Sequence, residues 1–155
     1  MKRMILLALI VGTFAVLGVL QVMAQAGNIW QATFFNNPSL AGAPVVSFST
    51  NFVNYNWGSG SPHPSVPADN FSARFTTSAY FNAGIYRFTA VADDDVRLYV
   101  NGQLYLNTFG TGQAGKPFAV DIAIPQGYSS IQVDYAEYGG LAYIDVNWGY
   151  IKDYP

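Results

Sequence analysis

Ala92-Asp93-Asp94-Asp95-Val96-Arg97-Leu98-Tyr99-Val100-Asn101-Gly102 is the stretch on which the reading of this chain turns. Its second half alternates. Val96, Leu98 and Val100 are apolar, and Arg97 and Tyr99 between them suit a wet face, which is the two-residue period of a half-buried strand. Asn101-Gly102 follows, and both positions tolerate positive φ, so a two-residue hairpin is expected with residues 104–107 as the return strand. The first half is chemically odd. Only 10% of the chain is charged, yet three of its nine acids stand side by side among apolar neighbours. Adjacent carboxylates repel one another, and a bound cation is the usual compensation; the alternative is an acidic turn, because Asp is common in turns anyway.

The same alternation recurs outward from this hairpin. Ile131, Val133 and Tyr135 oppose Gln132, Asp134 and Ala136. Ala142, Ile144, Val146 and Trp148 oppose Tyr143, Asp145 and Asn147. Ten strands are expected, at 30–35, 45–48, 52–56, 71–77, 85–91, 96–100, 104–107, 118–124, 130–137 and 142–148. One covered face and one wet face mark antiparallel sheets, and ten short strands between Gly, Pro, Asn and Ser clusters read as an all-β fold, a β-sandwich or β-barrel. The longest loop, residues 58–67, carries prolines that fix φ and remove donors, so it is no central strand. No repeat, linker or second domain is visible after residue 26.

The chain opens with Lys2 and Arg3, then an uncharged apolar run to Val22, then Ala24-Gln25-Ala26, which fits a small-x-small cleavage rule. Residues 1–26 are expected to be a signal peptide and residues 27–155 the mature domain. The apolar run is long, and an uncleaved anchor is the second reading. Without Lys2 and Arg3 the mature part has five basic residues against nine acids, a net charge of −4. A mildly acidic domain with no basic cluster is a poor partner for nucleic acid, and it has no polybasic segment for an anionic membrane surface. With no cysteine there are no disulfides, thiolate metal sites or cysteine nucleophiles. Eleven Tyr, eleven Phe and three Trp suit strands and sugar-stacking surfaces alike.

Five blocks occur in an order that resembles a known module: Phe34-Phe35-Asn36-Asn37; Asn56-Trp57-Gly58 with the loop that follows; Val66-Pro67-Ala68-Asp69-Asn70-Phe71 running to Phe75; Gly84-Ile85-Tyr86-Arg87-Phe88; and Asp93 to Gly102. Ile131 to Glu137 and Trp148 complete the series. Together they resemble the protective-antigen domain, the PA-fourteen module of an anthrax toxin component, of fungal flocculins and adhesins, and of inserts in glycosidases. The resemblance implies a calcium site on an Asp-Asp pair joined by a cis peptide, here Asp93 and Asp94, with vicinal sugar hydroxyls completing the shell. It further implies that a later loop supplies a side-chain oxygen and backbone carbonyls. Here that loop is Glu137-Tyr138-Gly139-Gly140-Leu141, with Glu137 as the side-chain ligand and Tyr138, Gly139 and Gly140 beside the bound sugar. The sequence departs from the family at Asp95, where Gly is common. Asp95 either adds to the cation and ligand site or replaces a flexible turn and obstructs it.

Other motifs carry less. Gly110-x-Gly112-x-x-Gly115 has the spacing of a dinucleotide fingerprint but no following helix, so a flexible surface loop is expected. His63 is the only histidine and lies between two prolines. It has no Gly-x-Ser-x-Gly elbow to serve and cannot build a zinc cluster alone. No pair of acids is marked as a glycosidase pair. Trp30, Trp57 and Trp148 are expected in the core. The sequence thus points to a non-enzymatic, secreted or surface-attached, calcium-dependent carbohydrate-binding module. The second reading is a structural or protein-interaction module of a surface assembly.

Overall fold

A computed structural model describes residues 28–153. The expected signal peptide lies outside the described residues. Ten strands form in the order β1 Trp30–Phe35, β2 Val46–Thr50, β3 Val53–Gly58, β4 Phe71–Phe81, β5 Gly84–Asp93, β6 Asp95–Val100, β7 Gln103–Asn107, β8 Phe118–Ile124, β9 Gly127–Glu137 and β10 Ala142–Lys152. They build two antiparallel sheets, a six-stranded one in the order β2-β1-β4-β9-β6-β7 and a four-stranded one in the order β3-β10-β5-β8. The fold is an open β-sandwich, so of the two all-β forms expected the closed barrel is set aside.

The alternating residues set the packing. Val96, Leu98, Val100, Ile131, Val133, Tyr135, Ala142, Ile144 and Val146 are buried between the sheets with Phe34, Phe71, Phe75 and Phe88. Trp57 stacks on Tyr55 at 5.2 Å, and Trp148 stacks on Phe88 at 5.4 Å. Such aromatic pairs add roughly 0.5–1.5 kcal/mol each beyond the area they bury. Trp30 is buried and Trp57 and Trp148 pack against the core, as the sequence led one to expect. Asn101 and Gly102 have φ of 50° and 78° and close the hairpin from β6 to β7.

Two expectations need correction. Strands β4 and β9 run on to Phe81 and back to Gly127, past the Ser- and Gly-containing ends expected to be turns. Each finds a partner in the other, Tyr80 opposite Tyr128 and Phe81 opposite Gly127. Asp134 and Ala136 were expected on a wet face but are 1% and 0% exposed. Arg74 and Arg97, on the strands to either side, cover Asp134 from across the sheet.

The connections matter most for function. Four times the chain crosses between the sheets at one end of the sandwich: from Gly58 to Phe71, at Asp94 between β5 and β6, from Asn107 to Phe118, and from Glu137 to Ala142. The pairings Asp95–Ala136, Tyr143–Asp93 and Phe71–Glu137 place these crossings side by side.

Candidate functional site

The three aspartates sit where β5 leaves one sheet and β6 enters the other, and they part company there. The Asp93–Asp94 peptide bond is cis. Asp93 and Asp94 are half-buried at the rim, while Asp95 turns inward and is only 4% exposed. The Asp94 Oδ2 accepts the Tyr138 backbone N–H at 2.7 Å. Burial, and then the Asp94 charge beside it, push the Asp93 carboxyl above its ordinary range.

Glu137 ends β9 and continues the inward register of Ile131, Val133 and Tyr135, so the alternation that builds the core delivers a carboxylate into it. It is 0% exposed. Its Oε2 lies 3.0 Å from the Tyr135 hydroxyl, which also reaches the Asp93 carbonyl oxygen. Its Oε1 has no hydrogen-bond partner; among the described residues the one other such buried side-chain atom is Arg97 Nε. Burial raises the Glu137 carboxyl to about 7; the Tyr135 hydroxyl and, more weakly, the Gly139 backbone N–H, which is near Glu137 but makes no hydrogen bond of normal geometry to Oε1, oppose the rise, and the charges of Asp94 and Asp93 add to it. A buried, half-satisfied carboxylate facing two others is the arrangement that proteins otherwise avoid.

The Glu137–Leu141 crossing is held at several points. Gly140 has a φ of 105° and donates its N–H to Asp69 Oδ1 at 3.2 Å. Of the two adjacent glycines in this crossing, Gly140 alone takes positive φ. Tyr138 is 43% exposed and donates its hydroxyl to Asp95 Oδ2 at 3.2 Å. Asp95 also takes Thr108 Oγ1 at 3.0 Å on Oδ1 and the Gly110 N–H at 3.0 Å on Oδ2. The Gly110–Gly115 stretch, expected to be a flexible surface loop, is largely exposed, yet it is tied down at its start by Asp95 and at its end by the Gly115 N–H on the Ala92 carbonyl at 2.7 Å. Sequence reasoning missed Asp69 and Thr108, because their partners lie on distant segments.

Among the described residues no group of three or more His, Cys, Asp or Glu side chains is arranged to hold a metal ion by itself. A cation here would draw on backbone carbonyls and on its ligand for part of its shell. The donors present fit a hard ion: carboxylate oxygens of Asp93 and Asp94, an unpartnered buried oxygen on Glu137, and no nitrogen or sulfur ligand. Two shallow depressions lie elsewhere, one beside Trp30, Phe52 and Trp148 and one beside Tyr99 and Gln132, and neither gathers carboxylates.

The family model of the PA14 domain matches residues 26–130, from before β1 through most of the sandwich. The chain belongs to the PA14 domain family. This PA14 domain is 28% identical over 89 residues to the anti-sigma-I factor RsgI3 of Acetivibrio thermocellus, a match covering 57% of this chain and 14% of that protein. A solved anti-sigma factor domain-containing protein superposes with a TM-score of 0.72 at 24% identity, over 78% of this chain and 42% of the other. The PA14 sugar-binding domain of an RTX adhesin superposes with a TM-score of 0.63 at 16% identity, over 81% of this chain and 91% of that domain. These likenesses establish the fold. The chain spans about a seventh of the length of the curated relative and about two fifths of the anti-sigma structure.

Proposed function

We propose that this PA14 domain is a calcium-dependent carbohydrate-binding module working outside the cell or at its surface. The observation that carries the reading is Glu137 Oε1, a buried carboxylate oxygen without a partner, facing the Asp93–Asp94 corner. Asp93, Asp94 and Glu137 would hold the ion. A bound Ca²⁺ supplies oxygen-seeking coordination positions that vicinal sugar hydroxyls can fill. Asp94 is oriented by the Tyr138 N–H, and Tyr138, Gly139 and Gly140 border the place a sugar would occupy. The sugar-binding name of the structurally similar adhesin domain supports the ligand class.

The test is thermal unfolding in EDTA and in 10 mM Ca²⁺, beside Asp94→Ala. For an extracellular-type site of ~10⁻⁴–10⁻³ M, 10 mM Ca²⁺ stabilises the fold by about 1.4–2.7 kcal/mol, a rise of several degrees. Asp94→Ala abolishes that rise, and a glycan array in Ca²⁺ then names the sugar. An unchanged melting temperature in Ca²⁺ sinks the reading.

A second reading, a protein-interaction module without a sugar, is favoured by one observation at the far end of the sandwich. Tyr80 and Tyr128 are 54% and 76% exposed and pack edge to face at 5.3 Å, with the Gln126 amide donating to the Tyr80 hydroxyl at 3.0 Å and most of both rings open to solvent. The similarity to anti-sigma factors supports a role inside a larger protein. Self-association that Tyr128→Ser abolishes, with no response to Ca²⁺, is the result this reading requires.

A further inference from the structure

Asp95 stands next to two proposed cation ligands, yet each of its oxygens is spent elsewhere. Oδ1 accepts Thr108 Oγ1 at 3.0 Å, and Oδ2 accepts the Gly110 N–H at 3.0 Å and the Tyr138 hydroxyl at 3.2 Å. Thr108 is itself 3% exposed and accepts the Val96 N–H at 2.8 Å, and its hydroxyl lies closer to Asp95, at 3.0 Å, than to the Val96 carbonyl, at 3.3 Å. The next residue along, Phe109, lies under the Arg97 guanidinium at 3.9 Å. Two crossings far apart in sequence, 108–115 and 137–141, therefore meet on one carboxylate. A carboxylate has about four acceptor positions; three of those on Asp95 are taken by the protein, both on Oδ2 and one on Oδ1, so Asp95 is committed chiefly to holding these two crossings.

We propose that Asp95 is a positioning residue for ligand choice. It touches neither ion nor sugar, and it fuses the 108–111 turn and the Tyr138 ring into one stiff wall beside the Asp93–Asp94 corner. That wall limits which ring geometries of a hexose can bring two hydroxyls to the corner. The inference rests on the carbohydrate-binding reading above. Its content is distinct: Asp93, Asp94 and Glu137 would decide whether a cation binds, and Asp95 with Tyr138 decides which sugar follows it. Holding both loops in place before the ligand arrives also spares their ordering on binding.

Three measurements on the wild type, Asp95→Asn and Tyr138→Phe test this. They are Ca²⁺ affinity by calorimetry with the metal alone, hydrogen exchange at the Gly110 amide, and binding to immobilised mannosyl-, galactosyl- and glucosyl-terminated glycans in saturating Ca²⁺. Asp95→Asn is expected to speed Gly110 exchange at least tenfold, to change Ca²⁺ affinity less than threefold, and to change the ratio among the three glycans at least tenfold. Tyr138→Phe, which removes one donor and keeps the ring, is expected to shift that ratio in the same direction by less. It also stands in for Asp95→Asn should that variant fail to fold. A wild-type glycan ratio in either folded variant overturns the proposal, as does a fall in Ca²⁺ affinity on Asp95→Asn as steep as that of Asp94→Ala. A wild-type protein that takes up no Ca²⁺ and no glycan instead brings down the reading beneath it.

Discussion

Strand β9 carries two buried acids three residues apart, and their surroundings are opposite. Asp134 is 1% exposed and is clasped by Arg74 through two bonds of 2.7 and 3.0 Å, by Gln132 at 3.1 Å, and by Arg97 at 3.4 Å. Glu137 is 0% exposed, has Tyr135 as its one side-chain partner, and faces Asp93 and Asp94. Burial is the same in both. Asp134 is matched by opposite charge, whereas among the described residues Glu137 has no cationic partner and only partial hydrogen bonding. Charge burial by itself therefore marks nothing in this domain; what singles out the proposed site is a buried acid that no cation of the described chain faces, whereas Asp134 has two guanidinia even though Arg97 Nε is left unpartnered.

The contrast can be broken most forcefully at Asp134. Asp134→Ala leaves Arg74 and Arg97 facing each other, and should cost about 3 kcal/mol in denaturant unfolding, equally in EDTA and in Ca²⁺. That is the low end for breaking a buried pair, because both guanidinia keep some access to water. A cost that appears only in Ca²⁺ would tie Asp134 to the cation and erase the distinction.

The pH dependence of Glu137 comes next. Its folded carboxyl titrates at about 7 against an ordinary value of 4.5. Between those values the folded state binds the extra proton, so its contribution is fully present below 4.5 and is lost as pH rises through 7. In EDTA, the stability of the wild type relative to Glu137→Gln should fall by about 2–3 kcal/mol from pH 4.5 to pH 8. The raised Asp93 carboxyl acts in the same sense. Parallel pH profiles for the two proteins would show that Glu137 is compensated after all.

Calcium should invert that sign. The ion competes with the proton, so Ca²⁺ affinity measured by calorimetry should strengthen from pH 6 to pH 8. Glu137→Gln should also lose most of the stabilisation of about 1.4–2.7 kcal/mol expected of the wild type in 10 mM Ca²⁺. An affinity that is flat with pH would remove Glu137 from the proposed ligands.

The smallest effect belongs to a pair that resembles the Asp134 network only on paper. Arg87 grips Asp121 at 2.7 and 2.8 Å across β5 and β8, but both side chains lie open to water. Arg87→Ala is expected to leave the melting temperature unchanged within error, since water and salt screen such pairs. A clear loss would mean that distance alone, without burial, predicts cost here.

The sequence made the sandwich legible because its signals were local. Period-two alternation in several strands, with β-branched and aromatic runs between turn residues in the rest, located all ten, and Asn101-Gly102 closed its hairpin with positive φ at both positions. The Asp triplet was visible as a charge anomaly, and Glu137 stood in plain view as the fourth member of an inward series that begins at Ile131. The inward turn of Asp95 was not legible, because Asp94 falls between two strands and the alternation restarts after it. Nor was the burial of Asp134, which needs arginines from two other strands at the same level. The tying of loop 108–115 to the site depends on Thr108 and Gly110 meeting Asp95, fifteen residues or fewer away in sequence but across a sheet-to-sheet crossing.

An open sandwich leaves four strand edges bare, and here they are β2, β7, β3 and β8. All four are five to seven residues long, whereas β4, β5, β9 and β10 run to ten or eleven. Pro44 stands just ahead of β2, and Pro117 and Pro125 bracket β8. Short, proline-bounded edges give a neighbouring copy little ladder to extend. Two copies meeting side by side would therefore find little backbone to pair, and the loop end of the sandwich lies away from those edges.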